Sequence, residues 1–440
     1  MSSDGVRRIS VKALTRVEGE GSLHVRVANG RVEIAEFSIF EPPRFFEKLV
    51  QGREVHELPD IVARICGICP VAYQMTACHA LEKALGIETT PGIEALRRLL
   101  YCGEWIQSHA LHIHLLHAPD FLGYESGFTL ANVAPELVER GLRLKTVGNR
   151  IMQVVGGRAV HPINVAVGGF HRAPAVADLT SLLPELEWAL GAAEEVVAEV
   201  SRFEFPDFRR EYESVCLRDS AEYPIIDGRV VASSGLDIDV ADYEQHFEER
   251  QVPWSTALQS VMLPESKPYL CGPVARFNLC FDQLPPRARA AAEACGVRWP
   301  MTNPFESIVA RAIEIVAACE EAIRIVRGAV AAISPCRIPF EPREGVGCHA
   351  TEAPRGILYH RYEIGSNGLI SGAVIVPPTS QNQGQVEADL RDMLPGILDL
   401  DDAAVTRRCE HMIRNYDPCI SCATHFLRFT IDRESNARQG

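Results

Sequence analysis

Positive charge is scarce in this sequence: 44 Lys and Arg stand against 58 Asp and Glu, a formal net charge of −14. No Lys/Arg cluster stands out, which argues against nucleic acid or an anionic membrane as a partner, since both are bound through basic patches. No run of about eighteen uncharged apolar residues occurs, so nothing reads as a membrane span. Neither G-x-G-x-x-G nor a Walker pattern is found, and any nucleotide must bind elsewhere. The stretch Met1-Ser-Ser-Asp-Gly-Val-Arg-Arg lacks the apolar core of a secretory leader and a twin-arginine leader of the usual length, so a cytoplasmic location is expected. Repeats and low-complexity segments are missing too.

What is present is an ordinary globular composition, 440 residues of which 47% are hydrophobic, able to bury a sizeable core. Its 14 cysteines are scattered and read as reduced thiols, not as a disulfide framework. Four of them form two Cys-x-x-Cys pairs near opposite ends: Arg64-Ile-Cys66-Gly-Ile-Cys69-Pro and Asp417-Pro-Cys419-Ile-Ser-Cys422-Ala-Thr-His425. These pairs meet only if the fold brings its termini together, and four thiolates at one point make a soft-metal site. A structural zinc site is one reading, but zinc ribbons set the pairs about 15–20 residues apart, and here the gap is roughly 350. A redox dithiol needs a single pair, and neither follows a thioredoxin-like strand-to-helix pattern. Nickel or iron held by sulfur remains.

Local patterns give the frame. Leu23, Val25 and Val27 alternate, turn at Asn29-Gly30 and return through Val32 and Ile34, a hairpin. Leu58–Gly86 reads as helical, with the first Cys pair at a break where Gly67 lets backbone approach a metal. Helices are also expected over Ile93–Leu122, 130–158, Asp178–Phe203 and Ser307–Ile333. The Ile93–Leu122 stretch carries His109, His112, His114 and His117, which are read as buried and satisfied, although spacings of three would also allow a metal. A strand lobe over Val215–Leu236 is expected to turn at Asp227-Gly228, and a hairpin opening at Glu352-Ala353-Pro354-Arg355-Gly356 to turn near Asn367-Gly368.

The two Cys pairs resemble the R-x-C-G-x-C and D-P-C-x-x-C-x-x-H signatures of nickel-iron hydrogenase large subunits. Thr15-Arg16-Val17-Glu18-Gly19, Pro43-Arg44-Phe45-Phe46-Glu47, Gly156-Gly157-Arg158-Ala-Val-His161-Pro162 and Glu352-Ala353-Pro354-Arg355-Gly356 agree with that family in order, so the resemblance spans nearly the whole chain. It implies an α+β, predominantly helical fold, a large helical core with peripheral β-hairpins. The expected division is an N-terminal hairpin region over 1–57, helical core over 58–204, a peripheral mixed lobe over 205–300, core plus hairpin over 301–425, and an extension over 426–440.

By the same resemblance, Cys66 and Cys419 are terminal nickel ligands, while Cys69 and Cys422 bridge nickel to an iron carrying carbon monoxide and cyanides. Glu18 passes protons from the active-site sulfur, Arg355 overhangs the open nickel position, and Asp120 and Asp417 orient it. Pro378 and Thr379, in Val376-Pro377-Pro378-Thr379, contact the iron's diatomic ligands. Glu47 and His425 hold magnesium. Heterolysis of hydrogen needs a base for the proton, either a cysteine sulfur such as Cys422 or the guanidine, and the latter only if its pKa is strongly perturbed.

One departure stands out. Tyr73 replaces the family's usual histidine, a variant that resembles the cytosolic branch linked to NAD(P) or the sulfhydrogenases. Electrons are then expected to leave through an iron-sulfur small subunit to flavin- and NAD(P)-binding subunits, because the remaining cysteines show no ferredoxin-like spacing. A maturation protease and nickel-insertion proteins are further implied partners, with residues 426–440 removed once nickel is in place. Two other outputs of such a chain are a hydrogen sensor and a scaffold like the quinone-handling subunit of NADH:quinone oxidoreductase; the latter lacks the four cysteines.

Overall fold

The computed structural model describes residues 6–42, 44–328 and 334–424. The chain begins with an antiparallel meander, β1 (Val6–Val11), β2 (Gly21–Ala28) and β3 (Arg31–Ile39). Asn29 and Gly30 link β2 to β3 with φ of 53° and 74°, the left-handed pair that a two-residue hairpin requires. Leu23, Val25 and Val27 of β2 point into the core.

Five long helices form the body. Two short turns, Leu58–Val62 and Ala63–Ile65, end at an extended Cys66, and α1 (Pro70–Leu85) starts directly after Cys69. α2 (Pro91–Leu111) is capped by the Thr90 hydroxyl, which accepts from Ile93 N at 3.3 Å. It runs on through a π-turn, His112–His117, into Ala118–Leu122, so the expected helix is present with one widened turn. α3 (Pro135–Gly156) and α5 (Ser307–Gly328) pack on α2, and α4 (Leu183–Val200) packs on α5. The α2–α3 crossing is close because Gly103 and Gly148 face each other; a Cβ on Gly103 would lie 2.9 Å from Gly148 O. The end of the helix expected to reach Ile333 lies outside the described residues.

One strand expectation is corrected and another is met with an added strand. β4 (Val215–Arg218) and β5 (Arg229–Ala232) do pair, with β6 (Asp237–Ile238) alongside, but Asp227-Gly228 ends a long loop and is not a tight turn. Gly228 is needed there because a Cβ would press on the Arg218 backbone at 2.8 Å. The hairpin that turns at Asn367-Gly368 is present, and a third strand joins it: β7 (Gly345–Ala353), β8 (Gly356–Ile364) and β9 (Ile370–Val376). β7 escapes a pattern reading because its glycines serve contact. A Cβ on Gly347 would sit 2.1 Å from Ala80 O of α1. Pro354-Arg355 forms the β7–β8 turn and Asn367-Gly368 lies in the β8–β9 turn.

α6 (Pro378–Met393) follows β9, and α7 (Asp402–Asn415) delivers the chain to the second Cys pair. One buried apolar cluster reaches from Ile9 to Ala423, and a smaller one links the 215–271 lobe to β7–β9. The predominantly helical α+β class thus stands, with small sheets around helices. Among the described residues no helix is long and apolar enough to cross a membrane.

Candidate metal centre

The two ends of the chain meet. Cys66, Cys69, Cys419 and Cys422 place their sulfurs within 4.8 Å of one another, all buried. Cys66 Sγ lies 3.4 Å from Cys419 Sγ, Cys69 Sγ 3.9 Å from Cys422 Sγ, and Cys419 and Cys422 are 3.0 Å apart.

Each loop is held by backbone and by partners from elsewhere. Cys66 Sγ accepts from Ile68 N and Cys69 N at 3.3 and 3.2 Å, the nest of amides that favours a thiolate. Glu104 of α2 reaches under the first loop and accepts from Val71 N (2.6 Å) and Ala72 N (3.0 Å), satisfying the exposed start of α1. The second loop is stitched to the N-terminal segment: Ile420 N donates to Glu18 O and Ser421 N to Glu18 Oε2, both at 3.0 Å. Arg44 spans the two loops, donating to Ile65 O at 2.7 Å and to Ser421 O. Its own N–H donates to Thr424 O at 2.5 Å. Arg16, Phe45, His161 and Asp417, each in one of the motif stretches, have left-handed φ between 49° and 58°, and such strained backbone gathers at working sites.

Electrostatics suit a cation. Burial opposes ionisation of Cys66, yet hydrogen bonds from Cys419, Cys422 and Cys69, aided by the Arg355 charge, hold it well below the usual thiol range. Cys419 is pushed up by the hydrogen bonds of Cys422, Cys66 and Cys69, and Cys422 is pushed up by burial. Without a metal, protons must be shared among these sulfurs; a soft dication would let all four ionise.

Arg355 is buried, and its Nη1 has no hydrogen-bond partner. Its Nε donates to Asp417 O at 2.7 Å and its Nη2 to Asp417 Oδ1 at 3.3 Å. Arg276 fixes the turn that carries it, donating to Ala353 O (3.0 Å) and Pro354 O (3.1 Å) while pairing with Glu352 at 2.7 Å. Burial works against the Arg355 charge, but Asp417 and then the sulfurs of Cys419, Cys69 and Cys66 outweigh it and push the pKa well up. The perturbation that would make this guanidine a base is in the opposite direction.

The other expected residues fall as follows. Glu18 Oε2 lies 3.2 Å from Cys419 Sγ. Thr379 Oγ1 accepts from Cys419 N at 3.1 Å, which leaves its hydroxyl proton to donate, and Pro378 opens α6 beside it. Glu47 Oε1 accepts from Ile375 N at 2.8 Å; His425 lies outside the described residues, as does the 426–440 extension. Tyr73, one turn into α1, is kept protonated by burial and then by the neighbouring Cys422, Cys69 and Cys66, so it adds no charge beside the sulfurs.

Asp120 is a correction. It does not hydrogen-bond Arg355: its Oδ1 accepts from Arg16 at 2.5 Å and from Arg414 at 2.7 Å. It follows the widened π-turn by three residues, and the two guanidiniums share the one carboxylate oxygen. Gly67 is exposed, and a Cβ there would meet no protein atom within 4 Å. Glu104 and Arg44 were not foreseen; an acid on an apolar helix face and an arginine beside a proline are weak cues.

The chain as a whole is similar to known proteins. The family model described as nickel-dependent hydrogenase matches residues 44–135 and 297–425. The alpha subunit of sulfhydrogenase 1 from Pyrococcus furiosus is 35% identical over 96% of this chain and 98% of its own length. The beta subunit of the NAD-reducing hydrogenase HoxS from Cupriavidus necator is 29% identical over 96% of this chain and 95% of its own. In three dimensions the crystal structure of an H2-reduced NAD+-reducing [NiFe]-hydrogenase superposes with a TM-score of 0.88, at 28% identity, over 95% of this chain and 99% of that one. The chain therefore belongs to the nickel-dependent hydrogenases. More narrowly, it is a nickel-iron large subunit, the catalytic one, which carries the metals and acts on hydrogen.

Proposed function

We propose that this chain splits hydrogen reversibly at the four-cysteine site, with the first proton leaving through Cys419 and Glu18. The observation that carries this reading is the Glu18 carboxylate, 3.2 Å from Cys419 Sγ and tied to the same loop through Ser421 N. Cys66, Cys69, Cys419 and Cys422 would hold a nickel-iron pair, with carbon monoxide and cyanides on iron, and that pair would supply the Lewis acidity that polarises hydrogen. The chain supplies the rest. Metal-held sulfur accepts the proton, Cys422 being the other acceptor, and Glu18 relays it toward solvent. Arg355, kept cationic and oriented by Asp417, presents its unpaired Nη1 to the site as a fixed donor and charge. Thr379 and Pro378 line the side where the iron's small ligands would sit. Glu47, with His425, would hold magnesium through oxygen, in keeping with that ion's preference.

Electrons would pass to an iron-sulfur small subunit, then through flavin- and NAD(P)-binding subunits in the cytoplasm. The NAD-reducing names of a relative and of a superposing structure support this route, as does Tyr73. The test is hydrogen-dependent reduction of NAD or NADP by the purified complex. Reduction of a nicotinamide at steady state is expected; reduction of artificial dyes alone would assign the electrons to another acceptor.

A further inference from the structure

A second cluster of ligating side chains lies away from the four cysteines. His117 closes the π-turn, Asp120 stands one turn further on, and His411 comes across from α7; one ligand atom from each lies within 4.8 Å of the others. All three present an unsatisfied atom: His117 Nδ1, Asp120 Oδ2 and His411 Nε2 are buried without a hydrogen-bond partner. Orphaned polar atoms in a protein interior are costly, and three of them on residues that meet at one spot call for a common partner.

We infer that His117, Asp120 and His411 form a site for a borderline first-row dication of the zinc class, separate from the nickel-iron centre. Two imidazoles and one carboxylate are the donor set such ions favour. The ring geometry fits. Nitrogens about 2.0–2.1 Å from a tetrahedral ion put the two ring centroids about 5 Å apart. The His117 and His411 centroids are 5.2 Å apart with the planes at 80°. The pair His79 and His349, by contrast, is stacked at 4.7 Å and 27°, so its lone pairs lie in near-parallel planes and do not converge.

The surroundings orient each ligand as a metal site requires. His117 Nε2–H donates to Asn415 Oδ1 at 3.0 Å, which leaves Nδ1 as the free lone pair. Arg16 and Arg414 both take Asp120 Oδ1, which leaves Oδ2 for the ion. Phe121 and Phe305 wall His411 at 4.5 and 4.7 Å. Burial, followed by His112 and His411 for His117 and by Arg408 and Arg414 for His411, lowers both imidazoles well below the usual range, so each is in its neutral, ligating form. Asp120 and Glu410 offset part of the positive charge of Arg16, Arg311, Arg408 and Arg414, with Glu410 3.1 Å from Arg414. Asp120 and His411 also line a cleft of about 1170 Å³, which gives the ion an entry path. An ion here would cross-link the π-turn to α7, the helix that leads into Asp417 and Cys419.

The test loads the purified, nickel-containing complex with zinc chloride, desalts it and measures metals by mass spectrometry. One zinc per large subunit beyond nickel and iron is expected. His411→Asn should weaken zinc binding by at least the roughly 10–100-fold that loss of even an orienting partner costs, with nickel content unchanged. Failure of the wild-type complex to keep zinc overturns the proposal, as does equal retention by His411→Asn and His117→Asn. If His411→Asn fails to assemble, zinc K-edge absorption of the wild-type complex decides: a nitrogen and oxygen shell supports the site and a sulfur shell overturns it.

Discussion

Replacing Glu18 by glutamine isolates the proton step from the architecture. The amide oxygen can still accept from Ser421 N, now at 3.0 Å, and Glu18 O keeps its bond from Ile420 N, so the second Cys loop should hold its shape. Nickel and iron should therefore bind as before. What is lost is a group able to take a proton 3.2 Å from Cys419 Sγ and pass it on. A positioned acid–base group is worth about 10²–10⁴-fold in rate, and that is the expected fall in hydrogen-driven dye reduction and in exchange between D2 and water. Glu18→Asp keeps the carboxylate but draws it back by about 1.5 Å, one carbon–carbon bond, and should fall between the two. Rates are normalised to nickel content. A fully loaded Glu18→Gln subunit exchanging within about threefold of wild type, against the loss expected of such a group, would refute the relay.

Three further substitutions probe the frame. Arg44→Ala removes the clamp on Ile65 O and Ser421 O; charge-assisted bonds are worth about 1.5–3 kcal/mol each, so nickel per large subunit should drop, and Arg44→Lys, which lacks the fork, should rescue it only in part. Gly356→Ala forces a Cβ to 2.5 Å from Cys271 Sγ at a φ of 137°, which should displace the Arg355 turn and cut turnover while the four cysteines keep their nickel. Burial lowers His114 to about 4 despite its bond to Ala110 O, so the folded state binds fewer protons than the unfolded one between about pH 6.5 and 4 and loses stability as pH falls through that window. The loss from this one group is about 3 kcal/mol at 1.36 kcal/mol per pKa unit; His114→Gln should flatten the acid limb of a denaturation-midpoint profile by that order, and an unchanged limb would contradict it.

The parts legible in the sequence are those where local chemistry and global position agree. Asn29-Gly30 sets a hairpin by its own dihedrals, and the apolar periods of α2 and α5 announce core helices. The four cysteines were legible because no ordinary thiol chemistry needs two pairs so far apart. Other features depend on neighbours distant in sequence. β7 is written in glycine and alanine because α1 lies against its backbone, so it carries no alternating pattern. The partners of Asp120, Arg16 and Arg414, are distant in sequence, and Arg44 and Glu104 act through carbonyls and amides, which any residue supplies. The direction of the Arg355 shift likewise emerges only once Asp417 and the sulfurs are seen around it.

Nickel K-edge absorption on the purified complex tests the central claim most directly. Nickel with a sulfur-dominated shell and an iron neighbour is the predicted result, with the sulfur signal reduced when Cys66 or Cys419 is replaced by serine in any subunit that still binds nickel. A nickel shell of nitrogen and oxygen, or zinc in place of nickel at the four sulfurs, would contradict it.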